Sequence, residues 1–219
     1  PAAHASRRWY GVNPKQYIAE RFGVLVHTQN SARLEGLAEH LWGTGREHAD
    51  MLYVDVSHGV TSAHVTAGAI QSGARGGSGE LGHTVYDWNG PLCTCGNGGC
   101  LMQYVSVPAL LRDYGTAAGG PVDWDTFCTR VAAAEPTAVA IAQRAAMILG
   151  RVLVNACHLL DPEAVVLSGE VARGLPGFVD DVGGVVDPGD GGGQLIAVVV
   201  EQAGDVAEAL VELDDLVVH

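Results

Sequence analysis

A chain of 219 residues, 47% hydrophobic and 17% charged, has enough apolar material for one large or two small globular units with a real core. Its formal net charge of −13 and its single lysine, Lys15, argue against this stretch gripping nucleic acid by itself, because phosphate contacts need clustered Lys and Arg. The start, PAAHASRRWYG, lacks the apolar core of a targeting signal, and the most apolar long segment, Ala138 to Leu160, is interrupted by Gln143, Arg144, Arg151 and Asn155, so it reads as a buried helix of a soluble protein and not a membrane span.

In chain order, the spacing of Tyr17, Ile18 and Phe22 predicts a short helix over Asn13 to Phe22, closed by Gly23. Val24 to Thr28 reads as a buried strand ending at Gln29-Asn30-Ser31, and Ala32 to Trp42 has helical spacing through Leu34, Leu37, Ala38 and Leu41. Met51 to Val56 and Ala63 to Ile70 read as strands joined in hairpin fashion by Ser57 to Thr61, covered on both faces because they alternate poorly. A glycine-rich loop, SGARGGSGE, follows. Val107 to Tyr114 and Trp124 to Ala134 read as short helices, and Pro136 opens a long helix that Asp161-Pro162 stops at Leu160. Ala164 to Leu167 and Leu195 to Val200 read as strands. Pro176 to Gln194 reads as a long loop and Asp205 to Val217 as an acidic amphipathic helix. This order predicts an α/β fold with a mixed sheet.

The chemistry concentrates between Gly79 and Ser106, in GELGHTVYDWNGPLCTCGNGGCLMQYVS. His83, Cys93, Cys95 and Cys100 supply one imidazole and three thiolates, a Cys₃His set of the kind that closes a structural Zn²⁺ tetrahedron. Gly96, Gly98 and Gly99 give the backbone freedom to fold Cys100 back onto Cys93 and Cys95. Disulfides or plain buried thiols are the competing reading, but the cysteines cluster with a histidine instead of scattering as a secreted disulfide framework does. Cys128 and Cys157 lie within apolar helical patterns and read as small core residues.

The order GELGH, CTCGNGGC and then HLLDPEAVVLSGE resembles the ROK family of sugar kinases and sugar-responsive repressors, over essentially the whole chain. The resemblance implies an actin-like (ribonuclease H-like), two-lobed fold with sugar bound between the lobes. It divides the chain into residues 1–29 as the remainder of a first lobe, 30–204 as a second lobe with its zinc loop at 79–106, and a C-terminal helix at 205–219. A phosphate loop, and in repressors a helix-turn-helix, would lie upstream of this stretch.

The resemblance also implies a sugar-binding ring on which Asn30, Glu80 and His83 fall, His83 serving as zinc ligand as well. Without that context, Glu80 would read as solvated surface. Two family carboxylates are replaced. Ser31 stands where kinases carry the Asp that takes the sugar hydroxyl proton, and a serine without a partner is too weakly basic for that role. Met102 stands where a Glu accepts sugar hydroxyls, and a thioether accepts almost nothing. The hairpin Ser57-His58-Gly59-Val60-Thr61 keeps one glycine of the family's Gly-Thr-Gly-Ile-Gly phosphate hairpin. His58 and His64 read as ordinary hairpin histidines without a spaced carboxylate partner.

No catalytic residue is therefore expected. The implied function is the effector-sensing domain of a cytoplasmic ROK-type repressor with a structural zinc, a sugar or sugar derivative as ligand, a homodimer or tetramer as assembly, and DNA bound only through a segment outside this chain. An ATP-dependent sugar kinase of the glucokinase or N-acetylhexosamine kinase type, and an assembly module that has lost its pocket, are the alternatives.

Overall fold

The computed structural model describes residues 11–187 and the backbone of 197–200. Five strands form one sheet in the order β3-β2-β1-β4-β5: Met51–Val56 (β1), Val60–Thr66 (β2), Ala69–Ile70 (β3), Ala164–Ser168 (β4) and Ala197–Val200 (β5). β1 pairs antiparallel with β2, from Met51 opposite Val65 to Val56 opposite Val60, and parallel with β4, which is itself parallel to β5. The mixed α/β sheet predicted from the element order is present.

Alternation along the central strands sends their side chains to two apolar layers, which explains why neither strand shows a polar face. Leu52, Val54, Val56, Val165 and Leu167 join the larger core, built with helices α3 (Met102–Val105), α4 (Val107–Ala118), α5 (Trp124–Ala132), α6 (Pro136–Leu160), α7 (Gly169–Gly174) and α8 (Phe178–Val186). Met51, Tyr53, Ala63, Val65 and Val166 face the other way, toward α2 (Ser31–Leu41).

Helix α6 begins and ends where the sequence places it, with Pro136 in its first turn and Asp161 as a left-handed cap. It is long and apolar enough to cross a membrane by composition, but Leu149 and Leu153 are fully buried in the larger core, so its apolarity serves packing. Gly150 is needed there: a Cβ would come within 2.6 Å of the Val185 Cβ on α8. Helix α1 (Pro14–Phe22) is also as predicted, with Asn13 accepting the Gln16 N–H and Gly23 left-handed at φ 67°.

Four expectations need correction. Val24 to Thr28 is not a strand: no described segment pairs with it, and Leu25 is 80% exposed. On α2 the buried face carries Ala32, Arg33, Gly36, Ala38 and Glu39, whereas Leu34 and Leu41 are exposed. The helix lies so close to the sheet that a Cβ on Gly36 would come within 2.7 Å of the Ala63 Cβ, which favours small residues over leucines on that face. The strand expected over Ala63 to Ile70 begins at Val60 and breaks at Ala67 and Gly68, both with positive φ, to give β3. The loop expected from Pro176 instead contains α8, whose Phe178 and Val182 are buried. Residues 188–196 and the helix expected over Asp205 to Val217 lie outside the described residues, apart from the β5 backbone.

Candidate functional site

The loop after β3 is anchored by glycines that side chains would displace. Gly79, at φ 91°, lies against the Ser62 carbonyl of β2, and Gly82 lies against the Val60 carbonyl. Between them Glu80 leads into a single 3₁₀ turn over Leu81–His83, and the His83 N–H donates to the Glu80 carbonyl at 3.0 Å. From there the chain runs out and returns on itself. Val85 bridges to Cys100 and Leu92 to Gly98, while the Tyr86 and Leu101 N–H groups donate to the Gly99 and Thr84 carbonyls at 2.9 Å. Gly99, at φ 66°, lies against the Asp87 carbonyl, so it too must lack a side chain.

This fold-back brings one donor atom from each of His83, Cys93, Cys95 and Cys100 to within 4.8 Å of one another. Cys93 Sγ is 3.5 Å from His83 Nδ1, and Cys95 Sγ is 3.5 Å from Cys100 Sγ. All four of these thiol and imidazole donors can therefore hold a metal ion, and the cysteines are free thiols. Cys93 and Cys100 are buried while Cys95 is half-buried. Burial raises the Cys93 thiol, but the Cys95 backbone and the Cys95, Cys100 and Gln103 side chains stabilise its thiolate and bring it down to about 6. Cys100 goes the other way, pushed up to about 12 by burial and then by the neighbouring Cys95 and Cys93.

The remaining sequence-predicted residues are spread around this centre. Asn30 is exposed at the head of α2, where its side chain accepts the Arg33 N–H at 3.3 Å and caps the helix. Ser31 is the first residue of that helix. Glu80 is exposed and lines an apolar groove of about 400 Å³ between the loop and the C-terminal half of α6, with Leu52, Val152, Ala156 and Leu160 among its walls. Asn30 and His83 do not line that groove. Met102 lies beside this cluster, its Sδ 3.8 Å from Cys93 Sγ.

Two groups of contacts escape a linear reading. Ser57 Oγ donates to Asp55 Oδ2 at 3.1 Å and accepts the Glu170 N–H at 3.1 Å, so the hairpin after β1 is tied through its own side chain to the start of α7. His58 does have a carboxylate partner, Glu170 Oε1 at 3.3 Å, although 112 residues separate them. The other group centres on Arg33, buried near Asn30 and bonded to the loop that carries Glu80. The signal available for it was an arginine one turn past an Asn cap, on the sheet-facing side of α2.

Comparison with known proteins gives a coherent set of relatives. The model of the ROK family matches residues 3–186. A xylose repressor from Bacillus spizizenii is 28% identical over 80% of this chain and 45% of its own length. A glucokinase from Thermotoga maritima is 31% identical over 75% of this chain and 56% of its own length. The crystal structure of a ROK hexokinase from Thermus thermophilus superposes with a TM-score of 0.81 at 31% identity, over 92% of this chain and 70% of that one. The chain thus spans about half the length of the curated relatives it matches.

Proposed function

Because the chain belongs to the ROK family, with its actin-like architecture, we propose that it is the effector-sensing part of a ROK-type transcriptional regulator, binding a sugar or sugar derivative and holding a structural zinc. The family contains both repressors and sugar kinases. The observation that carries the regulator reading is Ser31. It occupies the head of α2, next to the Asn30 cap, where phosphorylating relatives need a carboxylate to take the hydroxyl proton. Losing a positioned general base lowers a rate by typically ~10² to 10⁴. The hairpin points the same way, since the Ser57 N–H already donates to the Gly59 carbonyl at 2.9 Å where a phosphate would need free backbone donors.

Zinc is supported by the donor set and its spacing. Zn–S bonds of about 2.3 Å and Zn–N bonds of about 2.0 to 2.1 Å give tetrahedral edges of about 3.5 Å between sulfur and nitrogen and about 3.8 Å between two sulfurs. The Cys93–His83 separation of 3.5 Å matches the first, and the Cys95 and Cys100 sulfurs, also 3.5 Å apart, lie slightly inside the second. With four protein ligands the ion has no open position, so its role is to fix the loop and the His83 ring, not Lewis-acid chemistry.

In this reading residues 1–29 are the remainder of a first lobe and 30–204 the second, with Asn30, Glu80 and His83 facing the ligand. Ligand binding acts through differential affinity for open and closed lobe arrangements. DNA contact belongs to a segment outside this chain, the assembly is a homodimer or tetramer, and the free thiols suit a reducing, cytoplasmic setting. The deciding experiment mixes the full-length protein with ATP, Mg²⁺ and glucose, N-acetylglucosamine or N-acetylmannosamine. No ADP release together with calorimetric binding of a sugar supports the regulator. Turnover would replace it with the kinase reading that the glucokinase relative favours.

A further inference from the structure

The two stretches bearing the proposed ligand residues are joined by one buried guanidinium. Arg33 is 4% exposed. Its Nη2 donates to the Gly76 carbonyl at 2.8 Å and to the Ser78 carbonyl at 2.7 Å, across more than forty residues of chain. Its Nη1 donates to Gln29 Oε1 at 3.1 Å, and the same Gln29 oxygen accepts the Asn30 N–H at 2.9 Å. The Arg33 backbone N–H meanwhile donates to Asn30 Oδ1. On the far side, Ser78 is followed by Gly79, which takes both the N–H and the hydroxyl of Ser62 on its carbonyl, at 2.9 and 3.2 Å. Glu80 comes next.

None of these hydrogen-bond partners is a carboxylate, and Arg33 forms no ion pair among the described residues. Burying a cation against neutral acceptors is unfavourable unless those acceptors are well placed. The buried Nε has no hydrogen-bond partner, so the terminal fork alone accounts for the charge: it reaches two carbonyls on one loop and an amide on another segment at once, which an ammonium or an apolar side chain cannot.

We propose that Arg33 is the positioning residue of the ligand site, setting Glu80 in register with Asn30 and Ser31 through the Gly76–Ser78 carbonyls and Gln29. This rests on the effector reading for what the site binds, but not for the register itself. A ligand that draws on Glu80 moves the Gly76–Ser78 backbone, and Arg33 passes that displacement to the head of α2.

The test uses Arg33→Met and Arg33→Lys in the full-length protein. Amide hydrogen exchange is read at residues 29–33 and 73–80, with β1 and β4 as internal controls, and glucose, xylose and N-acetylglucosamine are titrated by calorimetry. Arg33→Met is expected to raise exchange at 76–80 by about tenfold or more while leaving the control strands unchanged. Sugar affinity should fall by a similar factor, and combining Arg33→Met with Glu80→Gln should give less than the product of the single effects. Lysine, keeping one carbonyl contact, should give intermediate exchange, and it carries the test where the methionine variant fails to fold. Unchanged exchange at 76–80, a rise spread equally over the control strands, or undiminished sugar affinity overturns the proposal. If the wild-type protein binds none of the three sugars, the effector reading falls, and the exchange comparison alone decides the positioning role.

Discussion

Replacing Cys95 by serine removes one sulfur donor from the proposed zinc centre at the position where packing is least disturbed, because Cys95 is half-buried while Cys93 and Cys100 are buried. Structural zinc sites of this type bind with apparent free energies of about 10 to 16 kcal/mol. Four ligands share that energy, so one ligand accounts for roughly 3 kcal/mol, or a loss of about 100-fold in affinity. With zinc near saturation, a 100-fold weaker site lowers the apparent stability of the holo-protein by about 2.7 kcal/mol. For a chain of this size that corresponds to a fall in Tm of about 5 to 10 °C. The assay is zinc content by elemental analysis after dialysis against a chelator, paired with thermal melts in the presence and absence of added zinc. Wild-type protein should retain one equivalent per chain and Cys95→Ser should lose it. The reasoning is refuted if wild-type protein carries no zinc, or if Cys95→Ser keeps a full equivalent and melts with the wild type.

Three further outcomes follow from named contacts. Gly79→Ala forces a Cβ onto the Ser62 carbonyl at a positive φ, and denaturant unfolding should show a loss of about 1 to 3 kcal/mol. The Tyr114 hydroxyl donates to Glu135 Oε2 at 2.8 Å and holds that carboxyl below its ordinary value of 4.5. A depressed carboxyl contributes stability that is full above 4.5 and is lost as pH falls through the lower folded value. Tyr114→Phe should therefore flatten the acid limb of a stability–pH curve and leave its slope near neutrality unchanged. Restoring both family carboxylates with Ser31→Asp and Met102→Glu should improve sugar binding by about tenfold or more, since each unpaired hydroxyl costs ~1 to 3 kcal/mol. If the wild-type protein binds no sugar in calorimetry and the double substitution creates binding, the assembly-module reading gains over the effector reading.

What the sequence made legible was local. Helix α6 could be bounded because proline opens it and Asp161-Pro162 closes it, and the four metal residues could be grouped because all lie between positions 83 and 100. What escaped was long-range. Arg33 meets Ser78 across 45 residues and His58 meets Glu170 across 112, and neither separation has a periodic signature. The leucines of α2 misled for a related reason: apolar spacing marks a candidate buried face, but the close approach of Gly36 to Tyr53 and Ala63 selects the face with small residues. Val24 to Thr28 shows the same limit, because an apolar run becomes a strand only where another segment supplies its hydrogen bonds.

The proposed metal loop and the proposed ligand ring share His83 but answer to different physical demands. His83 follows Gly82, which lies against β2, and Cys100 precedes Leu101, which is fully buried in the larger core. An ion joining His83 to Cys100 therefore links a strand of the sheet to the helical layer, whatever fills the site. Position 102 sits just beyond that linkage, with Met102 Sδ 3.8 Å from Cys93 Sγ, and it can change from carboxylate to thioether without removing a ligand. Metal retention and sugar affinity should accordingly separate by mutation: Met102→Glu alters the second and spares the first, whereas Cys95→Ser releases the metal and disturbs the sugar site through His83.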